Sequence, residues 1–336
     1  MNTVKREFSI RRYVMYVSLI VLVLNGLTLL LSTCAEEVII NPGKNQPGQK
    51  IAVQFSLAEM KHSEDEVSVR EAMDANPETL TVPVGDDLRM VATVVADRSA
   101  LVRMPAAAGL PNGALLRIVA YEDGTTYHAH ADYRIVEHVL TSDSPLHVSA
   151  GDYRFVAYSY SSPTVLPAHH DYTLSNIVPS NHLLWGCYPE NGTYRVKAST
   201  CGELPIMLAH QFSRVTVQAT TEDIGDAYLI AGIGTVSIPG KKVNLTIKDG
   251  RLTAGSDITQ HFSSAWTGVG TTMVISEPRL VYTHSADIFQ VNIDSLNLHG
   301  YPAPFTNLTA TFNKKLQGGV SYTIKVYFKR HNVKNK

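Results

Sequence analysis

The feature that most constrains the fold is an alternation of apolar and polar residues that recurs along most of the chain. Clear examples are the runs 51–57, 289–293 and 321–328, in which every second residue is apolar. A period of two places alternate side chains on opposite faces of an extended strand, so that one face can meet a core and the other solvent. The sequence therefore predicts half-buried β-strands.

Turn signals such as Asp123-Gly124 and Gly318-Gly319 separate these runs, and dipeptides of this kind mark tight connections between strands. Only 58–73 and 202–213 have a pattern that could hold a short helix. Many short strands with frequent turns and almost no helical periodicity are typical of β-sandwiches. We therefore predict an all-β fold.

The length of the chain sets the number of domains. One β-sandwich of this kind has about 100 residues, and the chain continues far beyond that after its leader. The sequence therefore predicts two tandem sandwiches, an N-terminal domain over 50–203 and a C-terminal domain over 204–336.

The N-terminus has the pattern of an export leader. Basic residues at Lys5, Arg6, Arg11 and Arg12 precede an apolar stretch of signal-peptide length, which predicts a signal peptide over 1–33.

The apolar stretch ends at Leu31-Ser32-Thr33-Cys34, which resembles a bacterial lipobox. This resemblance implies that Cys34 is acylated and holds the protein on a membrane without spanning it. Residues 34–49 would then be a lipidated tether. The alternative is an uncleaved membrane helix over 13–32. It is disfavoured because Glu36 and Glu37 follow where a membrane anchor usually has Lys or Arg.

The charge balance argues against a nucleic-acid partner. The chain has 29 basic and 30 acidic residues, and four of the basic residues belong to the leader. No basic patch of the kind that binds phosphate backbones is evident in the remainder.

Two cysteines remain beyond Cys34. Cys187 and Cys201 flank the turn signal Asn191-Gly192, and facing positions of such a hairpin can reach disulfide distance. An exported protein can keep that bond. The sequence leaves two alternatives open, a Cys187–Cys201 disulfide or two free thiols.

No pattern for catalysis, a cofactor or a metal stands out. The chain has no nucleophile elbow, phosphate-binding loop or zinc-protease helix motif. His128 and His130 could share one face of a strand, but no third ligand follows at metal-binding spacing. We therefore expect a protein that is not an enzyme, with no catalytic residue, cofactor or metal site.

Several segments resemble the fimbrillins of Bacteroidetes, the FimA- and Mfa-like lipoprotein pilins. They are the lipobox leader, the strands 110–121 and 148–159, the segment 208–217 and the closing run 316–329. No single motif is specific, and the order and spacing of the segments carry the resemblance. It implies two transthyretin-like sandwiches and a fimbrial component at the cell outer membrane.

The resemblance also implies how such a protein assembles. An arginine-specific protease removes an N-terminal strand, and a strand from another fimbrillin subunit fills the groove that is left. In this chain the removable strand would be 51–57 and the processing site Arg70, with Arg89, Arg98 and Arg103 as alternatives. Strand addition of this kind uses backbone hydrogen bonds for affinity and side-chain pockets for specificity.

The C-terminus departs from this pattern. Only the polar and basic residues 329–336 follow the last predicted strand, and a donor strand needs alternating apolar residues. We therefore expect an accessory, tip or anchor subunit rather than a bulk stalk subunit. The alternative is a surface lipoprotein that binds a glycan or another ligand on host or bacterial surfaces and does not polymerise. Asp294-Ser295-Leu296 resembles the O-glycosylation motif of the same bacterial group, which implies a sugar on Ser295.

Overall fold

The computed structural model describes residues 50–58, 79–84, 87–96, 110–167, 172–198, 202–225, 229–262, 266–283 and 288–330. Lys50–Lys197 and Glu203–Lys336 belong to one compact unit. Within the described residues no helix is long and apolar enough to cross a membrane. The predicted leader, the tether and the alternative membrane helix over 13–32 all lie outside the described residues.

Strands dominate the described residues, and the helices there are two three-residue 3-10 turns at Pro179–Asn181 and Glu222–Ile224, so the all-β prediction is confirmed. Up to residue 210 the strands are β1 (Ile51–Ala52), β2 (Gln54–Leu57), β3 (Thr79–Pro83), β4 (Leu88–Ala96), β5 (Leu115–Glu122), β6 (Thr126–Val136), β7 (Val139–Thr141), β8 (His147–Val148), β9 (Gly151–Ser159), β10 (Thr173–Ile177), β11 (Leu184–Tyr188), β12 (Tyr194–Val196), β13 (Glu203–Ile206) and β14 (Ala209–His210). The remaining strands are β15 (Ser213–Thr220), β16 (Ile230–Ile233), β17 (Val236–Thr246), β18 (Arg251–His261), β19 (Trp266–Thr267), β20 (Met273–Ser276), β21 (Arg279–Val281), β22 (Phe289–Leu298), β23 (Phe305–Phe312) and β24 (Ser321–Arg330).

Three large sheets organise these strands. Sheet I has the order β14-β11-β9-β5-β6-β7, with β12 also paired to β9. Sheet II has the order β10-β17-β22-β16, with β18 on β17 and β23 on β22. Sheet III has the order β19-β20-β15-β24-β4-β3, with β21 on β15. Two small ladders, β1 with β8 and β2 with β13, complete the set.

Three apolar cores hold the sheets together. Core A lies between one face of sheet I and the segments that carry β1, β2, β8 and β13. Core B joins the other face of sheet I to β10 and the end of β17 in sheet II. Core C lies between sheets II and III. Burial of apolar surface on this scale is the main favourable term in folding, and core B makes the three sheets one continuous packing unit.

The C-terminal strand β24 is central in sheet III. It pairs in parallel with β15 and antiparallel with β4. Tyr322, Ile324, Val326 and Phe328 are all at most 1% exposed, as their alternation predicts. The strand is therefore held on both edges and through one face by its own chain.

The pairing also bears on the predicted domains. β3 and β4 precede residue 203 but belong to sheet III with β24. β13 spans the predicted boundary and pairs with β2. Strands from both sides of the 203/204 boundary thus share sheets. The division into 50–203 and 204–336, like the transthyretin-like topology, stays a prediction.

The helical interpretation of 202–213 is wrong. Glu203–Ile206 and Ala209–His210 are short strands. Leu204 and Ile206 are buried while Glu203 and Pro205 are exposed, a period of two that fits a strand packed on a core. The other predicted helix, 58–73, lies almost wholly outside the described residues.

A close backbone approach fixes the segment after β13 over sheet I. A Cβ atom added to Gly186 in β11 would overlap the carbonyl oxygen of Met207. Only a residue without a side chain allows the two backbones to approach so closely. We predict that Gly186→Ala lowers the free energy of unfolding by about 1–3 kcal/mol, as overpacking does, measured by urea denaturation.

Gly232→Ala is the matched control, because its added Cβ would meet Asn297 at 3.6 Å, an ordinary contact. Equal stability of the two variants would contradict this account of the contact between β11 and Met207.

Candidate functional site

The predicted removable strand is formed by β1 and β2, with Val53 between them. Its side chains alternate as the sequence predicts. Val53 and Phe55 are 4% and 6% exposed, and Ile51 and Leu57 pack at the margin of core A. Ala52 and Gln54 are exposed. We call the segment 51–57 the filler strand.

The filler strand has partners on opposite edges in its two halves. The N–H of Val53 donates to the carbonyl oxygen of Leu146 at 2.9 Å, and the N–H of Ala58 donates to that of Ile206 at 3.0 Å. Successive N–H groups of a strand point to opposite edges, and buried Val53 and Phe55 alternate with exposed Ala52 and Gln54 as in a regular strand. The first half therefore joins β8 on one edge, and the second half joins β13 on the other.

The directions of these two ladders differ. Ile51 and Ala52 lie antiparallel to Val148 and His147 in β8, whereas 54–57 run parallel to 203–206 in β13. Among the described strands, β8 and β13 form ladders only with the filler strand. The filler strand is thus the hydrogen-bonding link between two short segments that cover core A.

Aromatic rings form the floor beneath Phe55. Its ring meets Phe155 edge-on at a centroid distance of 5.2 Å and Tyr133 edge-on at 6.0 Å. The Tyr133 hydroxyl accepts a hydrogen bond from the Leu146 N–H at 3.0 Å. Burial raises the pKa of Tyr133, so the neutral phenol keeps this contact at physiological pH. One tyrosine therefore supports both the Phe55 ring and the β8 rim.

The energy of the filler strand comes mainly from two side chains. Complete burial of a large apolar side chain contributes about 1.5–3 kcal/mol, so that Val53 and Phe55 together contribute roughly 3–6 kcal/mol. Removal of the strand would expose the apolar surface of core A and leave the backbone groups of β8 and β13 without their ladder. Exposed edges of this kind favour pairing with another strand.

The connection that follows the filler strand contains the predicted processing site. After Ala58 the next described residue is Thr79 in β3, an edge strand of sheet III. Arg70 lies in this interval, outside the described residues. A cut there would leave 50–58 bound to the rest of the protein only by noncovalent contacts.

Of the alternative arginines, only Arg89 is described. It lies in β4, between β3 and β24. A protease needs an extended, accessible backbone, which a strand paired on both edges does not offer. Arg98 and Arg103 lie outside the described residues.

Of the three predicted cysteine positions, only Cys187 is among the described residues. Cys34 and Cys201 lie outside the described residues. Cys187 is buried, and its Sγ accepts a hydrogen bond from Arg154 at 3.2 Å. The Cys187–Cys201 disulfide stays a prediction.

Ser295, the predicted glycosylation site, is half-buried in β22. An added Cβ on Gly234 would overlap its Oγ, so the hydroxyl lies against the Gly234 backbone. A sugar on Ser295 would require this hydroxyl to turn outward. The modification stays a prediction.

The two histidines that could have shared a strand face are separated by a register shift. Between β5 and β6 the register slips after the Ala120–Ala129 pair, so that Tyr121 faces Tyr127. The His128 ring lies 5.2 Å from the Tyr153 ring of core A, whereas His130 bonds Tyr127, which packs on core B. Among the described residues no group of three or more metal-ligating side chains occurs.

Trp185 has a structural role. Its Nε1 donates to the Ile247 carbonyl oxygen at 2.7 Å, and its ring packs at the margin of core B.

A polar depression of about 400 Å³ lies on sheet II, where β17, β22 and β23 adjoin. Its lining residues, mostly amides and hydroxyls, are Thr235, Ser237, Asn292, Ile293, Asp294, Asn307 and Thr309. Thr309 Oγ1 and Asn292 Oδ1 are hydrogen-bonded at 3.0 Å. The sequence analysis missed this cluster, because residues from three strands come together only through the sheet pairing.

Comparison with known sequences gives no assignment. No protein-family model matches the chain. No curated protein matches it.

Comparison with solved structures does find similar folds. A candidate cell adhesion protein of Bacteroides fragilis aligns with 84% of this chain and 95% of its own, at 14% identity and a TM-score of 0.42. One from Bacteroides uniformis aligns with 66% of this chain and 92% of its own, at 12% identity and a TM-score of 0.44. The fimbrial anchor protein Mfa2 of Porphyromonas gingivalis aligns with 55% of this chain and 71% of its own, at 11% identity and a TM-score of 0.35.

These neighbours are described as adhesion and fimbrial proteins. At these identities and TM-scores the likeness assigns no function to this chain. The functional proposals below therefore rest on contacts within this chain.

The contacts of Phe55 lead to a local stability prediction. Phe55→Ala should remove both ring contacts and the apolar burial, at a cost of about 3 kcal/mol or more. Because β8 and β13 depend on the filler strand, we expect faster amide hydrogen exchange at Val148 and Ile206, with little change in β24. Hydrogen exchange followed by mass spectrometry or NMR measures both.

Gln54→Ala is the control, since that neighbouring side chain is exposed and its loss should leave exchange unchanged. Uniform acceleration throughout the protein in Phe55→Ala would contradict a local role for the filler strand.

Proposed function

We propose that this chain is a non-enzymatic fimbrial component of the cell surface, exported as a lipoprotein and assembled by strand exchange. The observation that carries the proposal is the filler strand. It covers core A, it is the only ladder partner of β8 and β13 among the described strands, and it lies between the predicted lipid on Cys34 and the predicted cut at Arg70.

This position couples release from the membrane to opening of the groove. Before a cut, the filler strand joins the tether to the protein body through the chain itself. After a cut between Ala58 and Thr79, only the contacts of 50–58 with core A, β8 and β13 hold the lipidated segment to the body. Departure of that segment frees the body and exposes the groove together.

An incoming strand would find both kinds of interaction that strand addition requires. The backbone groups of β8 and β13 offer hydrogen bonds at the two rims. The sites of Ile51, Val53, Phe55 and Leu57 offer apolar pockets at alternate positions. The partner is therefore an extended segment of another subunit.

The C-terminal strand bears on the place of this chain in an assembly. β24 is paired on both edges and its apolar face is buried in core C, so its donation would dismantle sheet III. A subunit that accepts a strand but keeps β24 in its own sheet fits an accessory, tip or anchor position better than the repeating stalk.

The experiment follows the fate of residues 34–58 in cells. Shed or sheared surface fibres and the outer-membrane fraction are separated and mapped by mass spectrometry. We expect assembled chains to lack 34–58 and to begin after Arg70, and the Arg70→Gln variant to remain in the membrane fraction with acylated Cys34. Arg89→Gln is the control, because β4 is paired on both edges.

Assembled chains that all retain 34–58 would overturn strand exchange at this groove. Chains that begin near Gln49 with no acyl group at any stage would overturn the lipoprotein part of the proposal.

The polar depression on sheet II favours a second function, binding of a neutral glycan. Amides, hydroxyls and one carboxylate can donate to and accept from sugar hydroxyls, and Asp294 disfavours anionic ligands.

Asn292→Ala should weaken binding of a responsive oligosaccharide about tenfold, as detected by NMR saturation transfer after a glycan screen. Gln54→Ala should bind as the wild type does, and a screen without any depression-dependent ligand would contradict this candidate.

A further inference from the structure

The groove requires more of an incoming strand than alternating apolar side chains. We infer that the partner segment carries an aromatic residue at the register of Phe55 and runs in the same direction as the filler strand. This inference rests on the proposed function, since it specifies the occupant of the same groove.

The aromatic requirement comes from the floor of the groove. Phe55 makes edge-to-face contacts with Phe155 and Tyr133, and Phe155 stacks on Tyr153 at 6.0 Å. Phe55 therefore continues a row of rings through core A. A branched aliphatic side chain would fill less of this space and make neither ring contact, so an aromatic residue is favoured there.

The neighbouring positions are less demanding. Ile51 and Leu57 are only partly buried at the margin of core A, and Val53 is a smaller side chain. Ala52 and Gln54 face solvent. The groove therefore has one discriminating pocket, with tolerant apolar sites on either side and no side-chain selection at the exposed positions 52 and 54.

The direction is set by the rims. β8 is antiparallel and β13 is parallel to the filler strand, and the two kinds of ladder space their hydrogen bonds differently. A strand inserted in the opposite direction would be parallel to β8 and antiparallel to β13, so both hydrogen-bonding patterns would have to change. The carbonyl oxygens of Leu146 and Ile206, which now accept from Val53 and Ala58, would then face different donors.

Synthetic peptides can test both features on the full-length mature protein. A recognition sequence for a site-specific protease is inserted between Ala58 and Thr79, so that cleavage does not depend on which arginine is processed in the cell. After cleavage, fluorescent peptides exchange into the groove, and fluorescence anisotropy measures their dissociation constants.

Four peptides of equal length decide the outcome. The native segment 50–58 should bind tightest, Phe55→Leu about tenfold more weakly, and Phe55→Ala about a hundredfold more weakly. The reversed sequence keeps the composition and the alternation. In the opposite orientation it offers the same side chains to the same pockets. Because its backbone then runs in the wrong direction for both ladders, we expect it to bind at least a hundredfold more weakly than the native segment.

The results separate this inference from the proposed function. If the native peptide does not enter the cleaved protein, and the original segment never leaves, the groove is not exchangeable and the proposed function fails. If the native, Phe55→Leu and reversed peptides bind equally well, strand exchange stands and the aromatic and directional selection is overturned.

Discussion

The filler strand is the element on which the N-terminal part of the structure depends. Core A needs a second layer opposite sheet I, and the segments available for it, β8 and β13, are two and four residues long. Such short segments cannot form a stable layer alone. The filler strand joins them through ladders on its two edges and adds Val53 and Phe55 to the core. A layer built around a single strand is therefore complete only while that strand, or one like it, is present.

The rest of the protein does not share this dependence. Sheets II and III enclose core C, whose largest buried side chains include Phe312, Tyr322 and Phe328. β24 lies in the middle of sheet III with partners on both sides. Loss of a strand at core A thus leaves the most extensively paired part of the protein intact. Stability that is unevenly distributed in this way is common where one region must rearrange.

How much could be predicted from the sequence is clear from particular residues. The alternation of Ile51, Val53, Phe55 and Leu57 predicted a half-buried strand, because a period of two is a local property that does not depend on which strands pair. The same reasoning predicted the buried face of β24. It could not predict that β4 pairs with β24, because pairing between residues more than 200 positions apart leaves no mark on local periodicity.

Two further differences have local causes that periodicity does not reveal. A register shift in β6 placed His128 and His130 on different faces of sheet I, and no turn residue marks that position. The segment 202–213 was expected to allow a short helix, but Leu204 and Ile206 pack on core A from an extended strand. The polar depression on sheet II also depended on pairing among three strands. The sequence thus predicted the filler strand that occupies the groove, whereas the floor and the rims of the groove could be described only from the structure.

Core B has a consequence for mechanics. It joins sheet I to sheet II through Val119, Tyr158, Val243 and Leu245, all at most 1% exposed, and the Trp185–Ile247 hydrogen bond crosses the same junction. A close-packed apolar junction resists bending because its side chains cannot separate without exposing them to water. Tension applied to a strand seated in the groove would therefore pass into the whole body as a rigid load rather than being relieved by a hinge.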